Sequence, residues 1–239
     1  ENISEARKTR ELLVGYYPDN YINDQLLGDI LLAENKSAEA MVAYQQAFTK
    51  QKTDYLLDVL LEHYTENKQH TAAAELLEQF LQAHPSDHYA RIKLAALYQQ
   101  LERNSSAVIQ YEQLLKQLPD NALVLNNLSW LYWLEGNRSA LDTAAKAFRI
   151  KSDNPDIADT YGWIMLHKGD QQEALKIIRT AASKAPQDPS IRYHLAKALA
   201  LNGRHEQAKK ELSRILRDYP DFQQKPEVEE LRKELSEIR

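Results

Sequence analysis

The 239 residues contain no cysteine. That excludes disulfides, thiolate metal sites and cysteine nucleophiles, and leaves the redox compartment open. Glycine is scarce, 6 residues where ordinary usage is about 7%, which suits a nearly all-helical chain whose glycines act as helix stops. No stretch approaches the ~18 uncharged apolar residues of a membrane span, and mean hydropathy is -0.61. Basic excess is missing too. The net charge of -5 and pI of about 5.9 lack the basic footprint of a nucleic-acid binder.

Chemical motifs are equally absent. There is no glycine-rich phosphate loop and no nucleophile elbow. The histidines fall singly; only His84 and His88 are close, and Pro85 between them breaks the i,i+4 geometry of a metal pair. His205-Glu206 has no second histidine four residues on, so the zinc-protease signature fails. We therefore expect no catalytic residue, no metal site and no cofactor.

What the chain has is an internal period. Leu128-Ser129-Trp130, Tyr161-Gly162-Trp163 and Leu195-Ala196-Lys197 occupy one point in successive units. Each is followed by a turn glycine (Gly136, Gly169, Gly203), a small residue (Ala140, Ala174, Ala208) and a second packing residue (Ala147, Ala181, Ile215). Pro186 and Pro220 close the last two units 34 residues apart, the period of the tetratricopeptide repeat, a helix–turn–helix unit that the chain resembles. The expected fold is all-α, a right-handed α-solenoid of such hairpins.

The same marks run upstream. The expected units are 21–53, 54–87, 88–121, 122–154, 155–188 and 189–222. Residues 1–20 read as the second helix of a truncated repeat, with Ala6, Leu13 and Pro18 at the spacing of Ala174, Ala181 and Pro186. Such an orphan helix exposes the face that its partner covers, so end-to-end self-association through it is expected. Asn35, Lys68 and Glu102 stand where the turn glycine belongs. Asn tolerates left-handed backbone, whereas Lys and Glu meet a penalty of about 1 kcal/mol or more, so the last two turns are expected to be looser or differently shaped. Asp87, Asn121 and Asp188 are expected helix caps. Residues 223–239 read as a capping helix, Pro226 in its first turn and Val228, Leu231, Leu235 and Ile238 on one apolar stripe.

Binding determinants of such arrays lie on the first helix of each hairpin, on the stripe facing the concave groove. That stripe carries Gln25, Asp29, Asp58, Glu62 and Thr65 in the first two units, then Tyr89, Ile92, Ala96 and Gln99. Further on it carries Asn126, Trp130 and Trp133, then Asp156, Asp159 and Trp163, then Tyr193 and Lys197. It is acidic at its start and aromatic with mixed polar groups later. The three tryptophans either pack between neighbouring helices or anchor a partner, as Trp and Tyr often do; both hold if one ring face is buried. Asn126 and Asn127 are placed to hydrogen-bond an extended peptide. The expected partner-binding set is Asn126, Trp130, Trp133, Asp159, Trp163, Tyr193 and Lys197.

One stretch is similar to a narrower group. Asn126-Asn127-Leu128-Ser129-Trp130-Leu131-Tyr132, followed by Ala158-Asp159-Thr160-Tyr161-Gly162-Trp163-Ile164, resembles the cadence of bacterial tetratricopeptide lipoproteins of the PEP-CTERM/exosortase type. The resemblance implies an exported, lipid-anchored, periplasmic array that scaffolds exopolysaccharide export or protein sorting. By contrast, the basic clamp with which chaperone-binding relatives grip a carboxylate is replaced here by Asp29, Asp58 and Glu62. The expected function is a non-catalytic scaffold for a protein or peptide, with no nucleic acid and no transmembrane segment in this stretch. A cytoplasmic adaptor and an oligosaccharide-binding aromatic groove stay open beside it.

Overall fold

The computed structural model describes residues 3–224 and 226–237. Among them the regular elements are helical. The chain divides into two compact units, residues 1–110 and 111–239. In the first lie α1 (Ile3–Tyr16), α2 (Tyr21–Ala33), α3 (Ser37–Lys50), α4 (Asp54–Glu66), α5 (His70–Ala83) and α6 (His88–Gln100). α7 (Asn104–Gln117) crosses the division. The second holds α8 (Ala122–Leu134), α9 (Ala140–Ile150), α10 (Pro155–His167), α11 (Gln171–Lys184), α12 (Pro189–Leu201) and α13 (His205–Asp218). A 3-10 turn, Pro220–Gln224, leads to α14 (Pro226–Glu237). Within each unit the helices stack as antiparallel hairpins, the arrangement of an α-solenoid.

The first helix of each hairpin begins at a side-chain cap. Asn20, Thr53, Asp87, Asn121, Asn154 and Asp188 each accept a hydrogen bond from a backbone N–H in the first turn, which satisfies a donor the helix itself cannot. Each hairpin then closes on its small residue: Ala40, Ala73, Ala107, Ala140, Ala174 and Ala208 are all 0% exposed. Ala47, Phe80, Ala147, Ala181 and Ile215 are likewise completely buried. α1 differs. It buries no residue, and Ala6 and Leu13 are only half-covered. At the other end Val228, Leu231 and Leu235 are buried, while Ile238 lies outside the described residues.

The turn expectation needs correction. Lys68 and Glu102 both adopt φ of 56°, next to 62° at Asn35, 67° at Gly136 and 73° at Gly203. Their turns are neither looser nor differently shaped. Gln69 N–H donates to the Tyr64 carbonyl at 2.8 Å and Arg103 N–H to that of Tyr98 at 2.8 Å, as Asn137 N–H does to Tyr132 at 2.8 Å after a glycine. This pattern satisfies otherwise orphaned helix carbonyls. Its hydrogen bonds, with the burial of the helices they join, outweigh a strain of roughly 1–2 kcal/mol. Gly169, at φ 106°, is the turn that stands apart.

Two glycines serve close approach instead. A Cβ on Gly28 would meet the Tyr44 ring at 2.6 Å, and one on Gly162 would meet Ile178 Cγ1 at 2.6 Å. Both neighbours are completely buried, so neither ring nor branch has room to retreat.

Two stability predictions follow from the turns and crossings. Lys68→Gly and Glu102→Gly relieve left-handed strain and lose part of the gain to unfolded-chain entropy; each is expected to add about 0.5–1 kcal/mol, read as a higher midpoint in urea. Gly162→Ala is expected to cost about 1–2 kcal/mol net, the clash with Ile178 outweighing the ~1 kcal/mol that alanine gains in a helix. An unchanged midpoint for Gly162→Ala would show that the crossing is slack.

Candidate functional site

All seven expected residues lie in the second unit, on three first helices: Asn126, Trp130 and Trp133 on α8, Asp159 and Trp163 on α10, Tyr193 and Lys197 on α12. α10 packs against both α8 and α12, and α14 packs against α12. The helical period sets one row of positions along each helix, and neighbouring rows meet.

Their meeting point is a residue that sequence reasoning left out. His194, on α12, donates from Nδ1 to Oδ2 of Asp159 at 2.7 Å. Its ring stacks on Trp163, centroids 3.9 Å apart and planes 26° apart, and lies 6.4 Å from Trp130. On the other side of this cluster His167 sits 4.3 Å from Trp163 and 5.1 Å from Trp133. Five rings from three helices therefore form one aromatic surface. Asp159 and His194 are 35 residues apart and meet only through stacking of successive hairpins. The available signal was a histidine one place beyond the stripe, flanked by Tyr193.

Two of the tryptophans pack into the core. Trp163 packs against the large core of the unit, and Trp133 against Ala140, Ala144 and Ile164. Each of the three tryptophans is half-buried, with part of its ring surface exposed. Asp159 is only 6% exposed. Its Oδ1 is buried without a hydrogen-bond partner, and so is Asn126 Oδ1. A buried acceptor with no donor costs about 1–3 kcal/mol, and these two atoms each carry that cost.

Tyr193 and Lys197 are placed differently. Tyr193 is 7% exposed, packs 6.4 Å from Phe222 and donates to the Glu227 carbonyl at 3.2 Å. Burial, helped by the Glu227, Glu230 and Glu234 carboxylates, pushes its phenol well above the ordinary range. Lys197 Nζ pairs with Glu234 at 2.8 Å. Both residues therefore face α14, which lies where a following first helix would lie. Asn127, expected to hold a peptide backbone, donates to the Tyr111 hydroxyl at 3.2 Å.

In the first unit, Asp29 of the acidic stripe accepts from the hydroxyls of Tyr44 and Tyr55, each at 2.7 Å. An open cleft of about 810 Å³ lies there between α3, the end of α4 and the start of α5, bordered by Met41, Val42, His63 and His70. None of the stripe residues lines it. Among the described residues no group of carboxylates and histidines is arranged to hold a metal, and no helix is long and apolar enough to cross a membrane.

A family profile described as tetratricopeptide repeat matches residues 64–131 and 165–235, more than half of the chain. TPR repeat-containing protein PA4667 of Pseudomonas aeruginosa is 29% identical over 178 residues, which cover 70% of this chain and 29% of that protein. This chain thus spans less than a third of that relative. Among solved structures, a tetratricopeptide repeat protein from Parabacteroides merdae superposes with a TM-score of 0.68 at 17% identity, covering 90% of this chain and 85% of that one. YrrB, described as a TPR protein with an unusual peptide-binding site, gives 0.55 at 18% identity over 75% of this chain and 93% of its own.

The Asp159–His194 pair yields a thermodynamic prediction. His194→Ala strands a buried carboxylate and is expected to cost about 2–4 kcal/mol, whereas adding Asp159→Ala should return part of that loss, a coupling of about 1–3 kcal/mol. Additive losses in denaturant titrations would mean that the two side chains do not support one another. The capped hairpins, the buried small residues and the matched repeats make one statement together: this chain belongs to the tetratricopeptide repeat family, whose stacked helices form a scaffold for protein or peptide partners.

Proposed function

We propose that the second unit binds an extended segment of another protein across α8, α10 and α12, and that the chain acts through this binding without catalysing a reaction. The observation that carries the reading is the aromatic surface of Trp130, His194, Trp163, His167 and Trp133 beside the unpartnered acceptors of Asn126 and Asp159. Rings supply contact area at low entropic cost, and buried acceptors reward backbone or side-chain donors. Trp130 is the anchor of choice; Trp133, Trp163 and Tyr193 share their surface with the core. Lys197, held by Glu234, forms the rim toward α14.

In this reading each pair α2–α3, α4–α5, α6–α7, α8–α9, α10–α11 and α12–α13 is one repeat, with units 21–53, 54–87, 88–121, 122–154, 155–188 and 189–222, and α14 is the solvating end helix. The residue cadence 126–132 and 158–164 supports a bacterial envelope setting, periplasmic and concerned with exopolysaccharide export or protein sorting. Exposed Leu12 (64%) and Tyr16 (77%) on α1 support a contact with another copy or chain at that helix.

The reading is tested by selecting a displayed peptide library on the wild-type chain, with Trp130→Ala as counter-selection. Selected peptides are expected to lose roughly tenfold or more in affinity for Trp130→Ala, a typical anchor effect, while far-UV circular dichroism stays unchanged. Binders that ignore the substitution would overturn it.

A further inference from the structure

The charges around the aromatic surface are one-sided. α8 and α10 contain no lysine or arginine. The cations of α12 are already engaged, Arg192 with Glu211 at 2.9 Å and Lys197 with Glu234 at 2.8 Å. Against them stand Asp156 and Asp159 on α10 and Asp188 at the cap of α12, with Glu227 and Glu230 of α14 close enough to bear on Tyr193. Asp159 has only His194 as partner for one oxygen, and its other oxygen has none.

We propose that this face recognises a basic peptide segment, an arginine or lysine side chain entering beside Trp130 and Trp163 toward the carboxylates of Asp159 and Asp156. The inference deepens the peptide-binding reading above and rests on it. Three features favour a cation over a neutral or acidic occupant. A guanidinium or ammonium lying within about 6 Å of an indole centroid is attracted by the ring face. Trp130, half-buried, lies 6.4 Å from His194 with planes inclined by 35°, so its ring is not stacked on that imidazole. The unpartnered oxygens of Asn126 and Asp159 are acceptors and so call for a donor; guanidinium offers five N–H donors and no acceptor.

Asp156 agrees with this. It lies in the first turn of α10, where the helix dipole ordinarily favours a negative charge. Even so, desolvation and the carboxylates of Asp188 and Asp159 hold it above the usual range. Like charges therefore crowd Asp156, and a partner's cation would relieve that repulsion. Carboxylate-ended peptides meet the opposite situation, because they bring further negative charge to Asp156 and Asp159.

The test is titration of the whole chain with octa-arginine, octa-lysine and octa-glutamate, followed by tryptophan fluorescence and by calorimetry at two salt concentrations. The basic peptides are expected to bind and to perturb the indole emission, more weakly at high salt as screening requires, with no response to octa-glutamate. Asp159→Asn, nearly isosteric, is expected to weaken octa-arginine roughly tenfold, a loss typical of a desolvated charge contact. Exposed Asp156→Asn, which leaves the packing alone, is expected to weaken it roughly threefold. Octa-arginine affinity unchanged in Asp156→Asn and Trp130→Ala would overturn the proposal, because binding would then lie elsewhere on an acidic chain. Library peptides that need Trp130 but are acidic would overturn it while leaving the peptide-binding reading intact. If no peptide of any composition needs Trp130, both fall together.

Discussion

Everything in each unit depends on how closely two antiparallel helices can approach at one small residue. A side chain larger than alanine at Ala73 or Ala174, both without exposure, would hold the pair apart, and the next hairpin would lose its seat. Gly162 carries the same constraint one step further, since even one methyl meets Ile178 at 2.6 Å. The reversal between the helices is nearly as strict. Four of the turns share φ between 56° and 67°, whether the residue is Asn, Lys, Glu or Gly. The backbone geometry is thus dictated by the crossing it must serve, and residue type adjusts only its cost.

Between hairpins the connection is polar as well as apolar. The hydroxyl of Tyr98 donates to Glu78 at 2.6 Å and that of Tyr132 to Glu112 at 2.7 Å, and in both cases the carboxylate lies 20 residues upstream on the preceding second helix. Burial and the neighbouring carboxylate push both phenols up to about 12. Arg192 and Glu211, 19 residues apart, tie the two helices of one hairpin by the same logic of offset. Such bonds fix the rotation of one helix against the next more sharply than dispersion contacts do, because a hydrogen bond is lost within a fraction of an ångström and a few tens of degrees. The stripe residues of neighbouring first helices consequently meet in a set register.

This separation between packing and display governs what the sequence revealed. Ala140, Ala174 and Ala208 recur because every hairpin has the same crossing, so they were legible as a period. So were the caps Asp87, Asn121 and Asp188, which answer a local need that every helix start shares. The shape of the turns at Lys68 and Glu102 was misjudged because a local penalty was weighed without the crossing that overrides it. His194 was invisible for another reason. Its partners Asp159, Trp163 and Trp130 belong to two other hairpins, and no spacing within a single helix announces them. Lys197 shows the converse, a residue correctly set on the stripe whose charge is then claimed by Glu234 from α14.

Display positions usually vary freely, because nothing in the packing holds them. Asp159 departs from that rule. It occupies a display row, yet it is almost completely buried and tied to His194, whose ring is in turn stacked on Trp163. A carboxylate placed in such surroundings carries a desolvation cost that a single imidazole offsets only on one oxygen. An apolar residue would fill the same space at lower cost, as Ile157 and Ile164 do in the same helix. The stability argument therefore runs against an acid here. In the acidic stripe of the first unit, by contrast, Asp29 receives two tyrosine hydroxyls on Oδ1.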